Sequence, residues 1–561
     1  PLESQVDRRL LKRIEHPRIL SASDMNQFIK EWKINPPVTK HYIELPEPTV
    51  DDNISDADRL LRELKRQYGM DDTSVSFDAL RILSERLRSA GWKVTVTISY
   101  SGKEHKVVNV ESGDTEKQHY GIAIDIGTTT VCGQLLDTGR YRTLKEIDVI
   151  QGKESAVIAE TSDYNSQISY GEDVISRIMY SRKKGGLKRL QKAVIDTINS
   201  IIKELVEKGS INPDFINHIV MAGNTTMTHL AIGMNPQYLM LAPYTPAFTH
   251  APSLKAKELN LNTNESACVS FLPCVASYIG GDIVAGILGT GIFERDKIAL
   301  YMDIGTNGEI VLGNKDWLIC ASCSAGPAFE GGGIKYGMRA GKGAIEQIHI
   351  NPSTYEPMIL TVEKAKPAGI CGSGLIDIVA ELLKAGLIDQ NGKFRQKPST
   401  DRIRQGDDGA EYIISYAKET AINKDIVITE VDMDNILRAK AAMYAGCKVL
   451  LDVAGLEFRD VDMVFIAGGF GHYINPEKAQ LIGLLPEVPL DRFVFVGNGS
   501  LLGARLVSFS QELMKKSERI SSSMTNIDLS QSHKFMDEFI AAMFLPHTNR
   551  KEFSQVFERL E

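Results

Sequence analysis

The sequence predicts an α/β protein with two related lobes, preceded by a small α+β domain and an N-terminal linker. An apolar strand that ends in Asp-Ile-Gly-Thr occurs at 120–130 and again at 299–309. Each copy is followed by a long helical stretch and then by an apolar strand that runs into small residues, at 219–226 and 464–471. One motif could arise by chance, whereas the same order of elements in both halves indicates a duplicated unit.

The repeat sets the predicted domain boundaries. Residues 119–561 form a two-lobed domain, with lobe I at about 119–297 and lobe II at about 298–561. The matching motifs lie further apart in lobe II, so we expect inserted residues within 351–425. The long helical stretches are expected at 172–208 in lobe I and 431–454 in lobe II.

The first 118 residues carry no chemical motif. Residues 1–45 are expected to be a linker, because a proline-rich segment at their end favours extended chain. Residues 46–118 are expected to form the small α+β domain. Leucines recur at helical spacing in 55–68 and 76–90, and residues 92–98 alternate as a half-buried strand does.

The composition excludes several classes of protein. The chain has 561 residues, 43% of them hydrophobic and 24% charged, which is typical of a globular protein. A net charge of −8 gives no electrostatic support for nucleic-acid binding. No long apolar run and no signal pattern are found, so we expect a cytoplasmic protein that does not bind membranes. Residue 1 is Pro rather than Met, which indicates a truncated N-terminus.

The seven cysteines are scattered, with a single C-x-x-C at Cys320 and Cys323. A zinc or iron–sulfur site usually needs four ligands, often as two such pairs. We therefore interpret these cysteines as packed, reduced thiols rather than as a metal site.

The two Asp-Ile-Gly-Thr turns predict a site for a polyphosphate. Glycine lets a strand–turn–strand corner approach a ligand closely, and the amide and hydroxyl donors of the turn then converge on one anion. Asp125 and Asp303, at the strand ends, are suited to organise Mg²⁺ through its water ligands together with the attacking water. Two such corners facing one another would hold a polyphosphate from both sides.

These motifs resemble those of the superfamily that contains actin, the sugar kinases and the heat-shock-chaperone ATPases. Residues 125–130 are similar to its first phosphate motif, 303–308 to its second, and 466–471 to its adenosine motif. Tyr170-Gly-Glu-Asp173 is similar to the connecting motif that often supplies a catalytic carboxylate. The resemblance implies a duplicated RNase-H-like fold of actin-like ATPase type, with ATP bound between the two lobes.

The chemistry of the turns and this resemblance together define the candidate site. Asp125, Asp303 and Glu172 are the candidate catalytic residues, although Glu172 could equally be an ordinary carboxylate at a helix N-terminus. Asp282 is expected to cap the helix at 283–288. The residues expected to contact the nucleotide are small or polar, with one aromatic: Gly127, Thr128, Thr129, Thr130, Gly305, Thr306, Asn307, Gly308, Gly468, Gly469, Phe470 and Gly471.

Within the superfamily, three further segments narrow the match. Residues 221–227, 323–331 and 368–375 resemble the ATP-dependent reductive activators of corrinoid proteins. Such proteins return cobalt from Co(II) to Co(I) in a corrinoid methyl carrier, and ATP is coupled to this uphill electron transfer. The resemblance implies a corrinoid protein as the partner, a homodimer, and ATP with Mg²⁺ as cofactors.

Family members also carry an iron–sulfur domain, and its cysteine array is not found in this sequence. We therefore expect a 2Fe–2S cluster only in a domain that is absent from this chain. The chain would then bind ATP and a corrinoid protein but would not deliver electrons by itself.

Other functions of the same superfamily remain open at this point. A small-molecule kinase would need an aspartate for the substrate hydroxyl, and none can be singled out. A chaperone-like ATPase switch would need a larger peptide-binding domain after the adenosine motif. An activator of acyl-CoA dehydratases would need cysteine ligands for a cluster shared between two subunits.

Overall fold

The computed structural model describes residues 29, 32–100, 104–397, 400–468 and 474–560. These residues form two compact units. The N-terminal unit comprises the described residues of Ser21–Glu294 and Gly499–Met524, and the C-terminal unit comprises those of Arg295–Asn498 and Thr525–Glu561.

The strands are β1 Val38–Glu44, β2 Thr73–Val75, β3 Lys93–Tyr100, β4 His105–Ser112, β5 Tyr120–Ile126, β6 Thr130–Leu136, β7 Val157–Tyr164, β8 Ile216–Gly223, β9 Leu254–Lys255, β10 Cys268–Phe271, β11 Ala299–Ile304, β12 Gly308–Gly313, β13 Leu318–Cys323, β14 Ala344–Ile350, β15 Pro357–Thr361, β16 Gly369–Ile370, β17 Ile403–Gly406, β18 Gly409–Ser415, β19 Ile426–Thr429, β20 Met463–Ala467, β21 Phe493–Gly497 and β22 Met524–Asn526. The α-helices are α1 Asp56–Tyr68, α2 Phe77–Ser89, α3 Glu146–Gln151, α4 Val174–Ser181, α5 Gly186–Gly209, α6 Thr225–Ile232, α7 Gly281–Thr290, α8 Gly372–Lys384, α9 Glu430–Ala454, α10 Pro476–Leu481, α11 Gly499–Phe509, α12 Gln511–Ser523, α13 His533–Ala542 and α14 Ser554–Leu560. Among these described helices, none has the length and apolar character needed to cross a bilayer.

A small four-stranded sheet with two helices opens the N-terminal unit. Its strand order is β1-β3-β4-β2, and Leu60, Leu64, Leu83 and Leu87 of α1 and α2 are buried in its core. Leu80, which the helical spacing also placed on the buried face, is instead 49% exposed. The first strand, Val38–Glu44, lies inside the segment predicted as a linker and pairs antiparallel with β3. Its run of β-branched and aromatic residues favours a strand, and the proline-rich stretch follows this strand instead of preceding the domain.

The larger sheet of the N-terminal unit carries the first Asp-Ile-Gly-Thr motif. Its strand order is β7-β6-β5-β8-β10-β9, in which β5, β6 and β7 are antiparallel while β8 and β10 run parallel to β5. Buried aliphatic residues of β5 and β8 pack against α5. The predicted helix at 172–208 is two helices, α4 and α5, since the chain turns at Gly185 with a φ of +71°.

The main sheet of the C-terminal unit repeats this plan. Its order is β21-β20-β11-β12-β13-β22, with β11, β12 and β13 antiparallel and with β20 and β21 parallel to β11. Strands β13-β12-β11-β20-β21 therefore correspond one by one to β7-β6-β5-β8-β10. This correspondence confirms the predicted duplication and its RNase-H-like strand order.

An insertion separates β13 from α9 in the C-terminal unit. It contains α8 and two three-stranded sheets, β15-β14-β16 and β17-β18-β19. The insertion was expected within 351–425, and its first strand begins earlier, at Ala344. Its residues share one hydrophobic core with the main sheet, in which Met302 of β11, Ile376 of α8 and Tyr412 of β18 are all fully buried.

Residues 499–524 differ from the predicted lobe boundary. We predicted them in lobe II, yet α11 and α12 belong to the N-terminal unit. Helix α11 packs on α7 so closely that a Cβ at Gly503 would lie 2.3 Å from the carbonyl oxygen of Ala285. Buried Arg505 donates to the carbonyl of Ile150 at 2.7 Å and to Gln134 Oε1 at 3.0 Å. These contacts explain why residues 499–524 belong to the N-terminal unit.

Candidate functional site

The first Asp-Ile-Gly-Thr motif forms a tight corner between β5 and β6. A Cβ at Gly127 would lie 2.4 Å from the carbonyl oxygen of Thr130, so the turn has no room for a side chain there. Thr128 is buried, and its hydroxyl accepts a hydrogen bond from Asn224 Nδ2 at 3.0 Å. We name residues 125–130 the first corner.

Asn165 donates two hydrogen bonds to the backbone of the first corner. Its side chain is fully buried, and Nδ2 donates to the carbonyl oxygen of Gly127 at 2.9 Å. Its own amide donates to the carbonyl oxygen of Thr129 at 2.9 Å. Asn165 was not among the predicted site residues. It contacts the backbone of a turn 38 residues away, and no sequence motif marks such a contact.

We expect Asn165→Ala to lower the free energy of unfolding by about 1–3 kcal/mol, since the carbonyl of Gly127 loses its donor Nδ2 and the backbone amide of Gln167 loses its acceptor Oδ1 at 3.1 Å. The measurement is chemical denaturation followed by circular dichroism. The control is Asn199→Ala, which removes a half-buried side chain with two comparable bonds, to the carbonyl of Asn260 at 2.9 Å and from the amide of Asn262 at 2.8 Å. Equal losses in the two variants would contradict a special role for Asn165.

Asn224 and Gly280 hold the end of β8 close to the first corner. Asn224 is the N-cap of α6, where Oδ1 accepts from the amide of Met227 at 2.9 Å. A Cβ at Gly280 would lie 2.4 Å from Asn224 Cα, so glycine permits the close approach of the two segments. Gly280 is also the N-cap of α7, and the expected cap Asp282 instead lies in the first turn. The prediction that Asp282 is the N-cap of this helix was therefore wrong.

Asp125 lies at the end of β5 and is half-buried. Its Oδ1 accepts a hydrogen bond of 2.8 Å from the hydroxyl of Ser500, a buried residue in the first turn of α11. Sequence reasoning missed Ser500, although Gly497-Asn-Gly-Ser500 follows an apolar strand as the other small-residue turns do. The bond orients the carboxylate that was predicted to organise Mg²⁺.

Glu172, the third candidate catalytic residue, lies exposed just before α4, whose N-cap is Asp173. Behind it, the fully buried Arg177 donates from Nε to the carbonyl of Gly171 at 2.9 Å and from Nη1 to Gln167 Oε1 at 3.1 Å. Burial lowers the pKa of Arg177 to about 10. Arg177 thus fixes the backbone that carries Glu172, and no sequence motif marks this arginine.

The second motif forms the equivalent turn between β11 and β12 in the C-terminal unit. Asp303 is half-buried at the end of β11, where Oδ2 accepts from the hydroxyl of Tyr301 at 3.2 Å. The amide of Gly305 donates to the carbonyl of Asn307 at 3.2 Å and closes the turn. We name residues 303–308 the second corner.

Two predicted phosphate donors of the second corner are occupied by a carboxylate. The amide of Thr306 donates to Glu330 Oε1 at 2.7 Å, and its hydroxyl donates to Oε2 at 3.0 Å. Glu330 ends a short 3₁₀ turn at Ala328–Glu330 and is half-buried. Glu330 lies in 323–331, one of the segments that resemble the reductive activators, but it was not among the predicted site residues.

Two predicted glycines also have structural reasons for their identity. A Cβ at Gly308 would lie 2.0 Å from Met443 Sδ of α9, so this glycine permits helix packing. Gly468 has a φ of +119°, and a Cβ there would lie 2.4 Å from the carbonyl oxygen of Ile304. Gly468 therefore brings the end of β20 against the end of β11. Gly469, Phe470 and Gly471 lie outside the described residues.

The cysteines behave as packed thiols where the structure describes them. Cys320 and Cys323 are buried on β13, and burial raises the pKa of both thiols. Over the described ranges, no group of three or more His, Cys, Asp or Glu side chains could hold a metal ion. The C-x-x-C is thus part of a strand.

The structure places the described residues of each Asp-Ile-Gly-Thr motif in one corner, and the two corners lie in different units. The first corner joins Asp125 to the threonines at 128–130, and the second joins Asp303 to Gly305, Thr306 and Asn307. Each corner offers amide and hydroxyl donors suited to an anion and one carboxylate suited to a water-coordinated cation. Glu172 lies outside the first corner, and the connecting segment carries it.

Comparison with known proteins assigns most of the chain to one family. The matching regions are described as the RACo linker region at residues 30–117, the RACo middle region at 120–295, and the C-terminal domain of RACo, the ASKHA domain, at 297–557. The linker region of that family therefore includes the small four-stranded sheet.

Individual relatives agree with this assignment. The corrinoid activation enzyme RamQ of Eubacterium limosum is 36% identical over 442 residues, which cover 77% of this chain and 71% of the relative. A [Co(II) methylated amine-specific corrinoid protein] reductase of Methanosarcina barkeri is 26% identical over 416 residues, 69% of each chain. A solved structure titled reductive activator for corrinoid,iron-sulfur protein is 42% identical, with a TM-score of 0.87 over 97% of this chain and 85% of that one.

Proposed function

The chain belongs to the RACo family of reductive activators of corrinoid proteins, and we propose that it uses ATP to return an inactive Co(II) corrinoid to Co(I) on a partner protein. The relatives just described are a corrinoid activation enzyme, a Co(II) corrinoid protein reductase and a reductive activator. The family relation supports the reaction, and the two corners support the use of a nucleotide.

The observation that carries the nucleotide proposal is the repetition of the corner. Each unit presents an aspartate at the end of the central strand, followed by a turn of glycine and threonine, in the same strand order. An ATP-driven protein of this kind needs its phosphates positioned and their charge neutralised. We propose that both corners contribute to one nucleotide, with the residues predicted above as its contacts.

We propose Mg²⁺ as the ion that accompanies ATP. Magnesium keeps several of its waters and takes few protein ligands when phosphate oxygens are available. Each corner has one half-buried carboxylate, Asp125 or Asp303, which is suited to an ion that keeps most of its water ligands. Glu172 is proposed to orient the attacking water, with Arg177 holding its backbone.

The described cysteines do not fit an iron–sulfur cluster. Six of the seven are buried, Cys132 is half-buried, and no group of three or more metal-ligating side chains is found among the described residues. The thiols of Cys320, Cys323, Cys371 and Cys447 all have pKa values raised by burial. We therefore derive no electron-transfer step through residues of this chain. The proposed electron donor is a 2Fe–2S cluster that these 561 residues do not hold.

The proposed partner is a corrinoid methyl carrier, and the proposed setting is the cytoplasm. We further propose a homodimer, following the resemblance stated above. Light scattering of the purified chain tests the last point, since a dimer has twice the 62.0 kDa mass of the chain.

The central experiment is an anaerobic reduction assay. A corrinoid protein in the Co(II) state is mixed with the chain, Mg–ATP and a low-potential one-electron donor, and Co(I) is followed by its absorbance. We expect Co(I) to form only when chain, ATP and donor are all present. ATP hydrolysis, measured separately, is expected to rise when the Co(II) partner is added.

Two controls separate the parts of the proposal. ADP in place of ATP tests whether the triphosphate is needed, and the same carrier already in the Co(I) state tests whether the partner's oxidation state matters. If Co(I) forms at the same rate with and without nucleotide, the ATP-dependent function is wrong. If a chain that binds ATP never responds to any corrinoid protein, the partner is wrong.

A further inference from the structure

The carboxylate of Glu330 lies where the second corner is expected to hold a phosphate. It takes both donors of Thr306, the amide at 2.7 Å and the hydroxyl at 3.0 Å. A Cβ at Gly305 would also lie 3.3 Å from Glu330 Oε1, so the carboxylate closely approaches the glycine of the turn. A carboxylate and a phosphate accept the same kind of charge-assisted hydrogen bond.

We propose that Glu330 is an internal competitor for the nucleotide, so that a phosphate group must displace its carboxylate from Thr306. This inference rests on the proposed function, because it assumes that the second corner binds phosphate. It assigns to Glu330 a role that lies outside the predicted site residues. If the carboxylate of Glu330 stayed in place, a phosphate at Thr306 would meet its negative charge at the same two donors.

The loop around Glu330 indicates that the side chain makes this exchange while the backbone stays in place. Phe329, the preceding residue, is 1% exposed within the core of the C-terminal unit. After it, the amide of Gly331 donates to the carbonyl of Ala328 and that of Gly332 to Pro327, both at 2.9 Å. Rotation of the Glu330 side chain is therefore sufficient to release Thr306.

The proposal predicts that weakening the competitor strengthens nucleotide binding. Glu330→Gln keeps the size of the side chain but removes its charge, so its bonds to Thr306 weaken and its repulsion of phosphate disappears. We expect the dissociation constant for ATP, measured by calorimetry on the full chain, to fall about 3- to 30-fold. A gain in affinity is informative, because damage to the fold would lower affinity.

The matched control is Glu487→Gln in the same unit. Glu487 also accepts from two backbone amides, those of Gln555 at 3.1 Å and Val556 at 2.9 Å, and it lies outside both corners. Its substitution is expected to leave ATP affinity within twofold of the wild-type value. Glu330→Ala, which removes the carboxylate entirely, is a second variant and is expected to change affinity in the same direction.

The outcomes distinguish this inference from the proposed function. Tighter ATP binding by both Glu330 variants, with Glu487→Gln unchanged, supports the competitor. If the wild-type chain binds ATP but the variants bind it equally or more weakly, Glu330 instead supports the turn or the metal ion, and the inference is wrong. If the wild-type chain binds no ATP, the nucleotide proposal itself fails.

Discussion

Asp303→Asn is expected to lower the ATP-dependent rate of Co(I) formation by about 100-fold or more, because a preorganised charge at the phosphates is lost. The asparagine keeps the shape of the side chain and can still accept a hydrogen bond from Tyr301. It cannot supply the negative charge that we propose holds a hydrated Mg²⁺ against the phosphates. ATP hydrolysis is expected to fall by a similar factor.

The control for charge alone is Asp462→Asn in the same unit. Asp462 accepts from Lys297 Nζ at 2.7 Å and Arg295 Nη2 at 3.1 Å, away from the corner. We expect this variant to keep its hydrolysis rate. Nucleotide affinity measured in EDTA provides a second test, since the wild-type and Asp303→Asn chains should then differ little. If Asp303→Asn retains wild-type hydrolysis, Asp303 does not organise the metal.

Gly503→Ala is expected to be among the most destabilising single-methyl substitutions in the N-terminal unit. The added Cβ would lie 2.3 Å from the carbonyl oxygen and 2.5 Å from the Cα of Ala285, so α11 and α7 must separate. Overpacking of this kind costs about 1–3 kcal/mol, and backbone atoms yield less than side chains. We expect the thermal transition of this large unit to fall by about 2–5 °C.

This substitution also tests the link between α11 and the first corner. Ser500, three residues earlier on α11, donates to Asp125 at 2.8 Å, so displacement of the helix is expected to lower ATP hydrolysis below the melting temperature. Gly341→Ala is the control, because its nearest neighbour would be the carbonyl oxygen of Arg339 at 3.9 Å. If Gly503→Ala has the thermal stability of the wild type, α11 and α7 are not packed as closely as described here, and the prediction is wrong.

The sequence predicted the parts of the fold that depend on local pattern. Alternating apolar strands and the repeated Asp-Ile-Gly-Thr turn were sufficient to predict two equivalent sheets, and the order of β5–β8 and of β11–β20 confirms it. The break before α5 was missed, because the apolar pattern continues through it while Gly185 takes a left-handed conformation. The strand Val38–Glu44 was missed because its pairing partner lies 49 to 61 residues away.

The candidate site was predictable only where a motif marks the residue. The aspartates, glycines and threonines of the corners could be identified because the same letters recur. Ser500, Asn165 and Glu330 could not, since each contacts its corner from another part of the chain and lies outside the repeated motifs.

The insertion between β13 and α9 has a practical meaning for anyone who wishes to shorten this protein. Its strands and helix do not form a detachable module, because Ile376 and Tyr412 share their interior with Met302 of the central strand. Excising it would expose the apolar face of the main sheet, and the shortened protein is expected to aggregate when it is expressed. A minimal version must replace the lost cover with newly designed apolar surface.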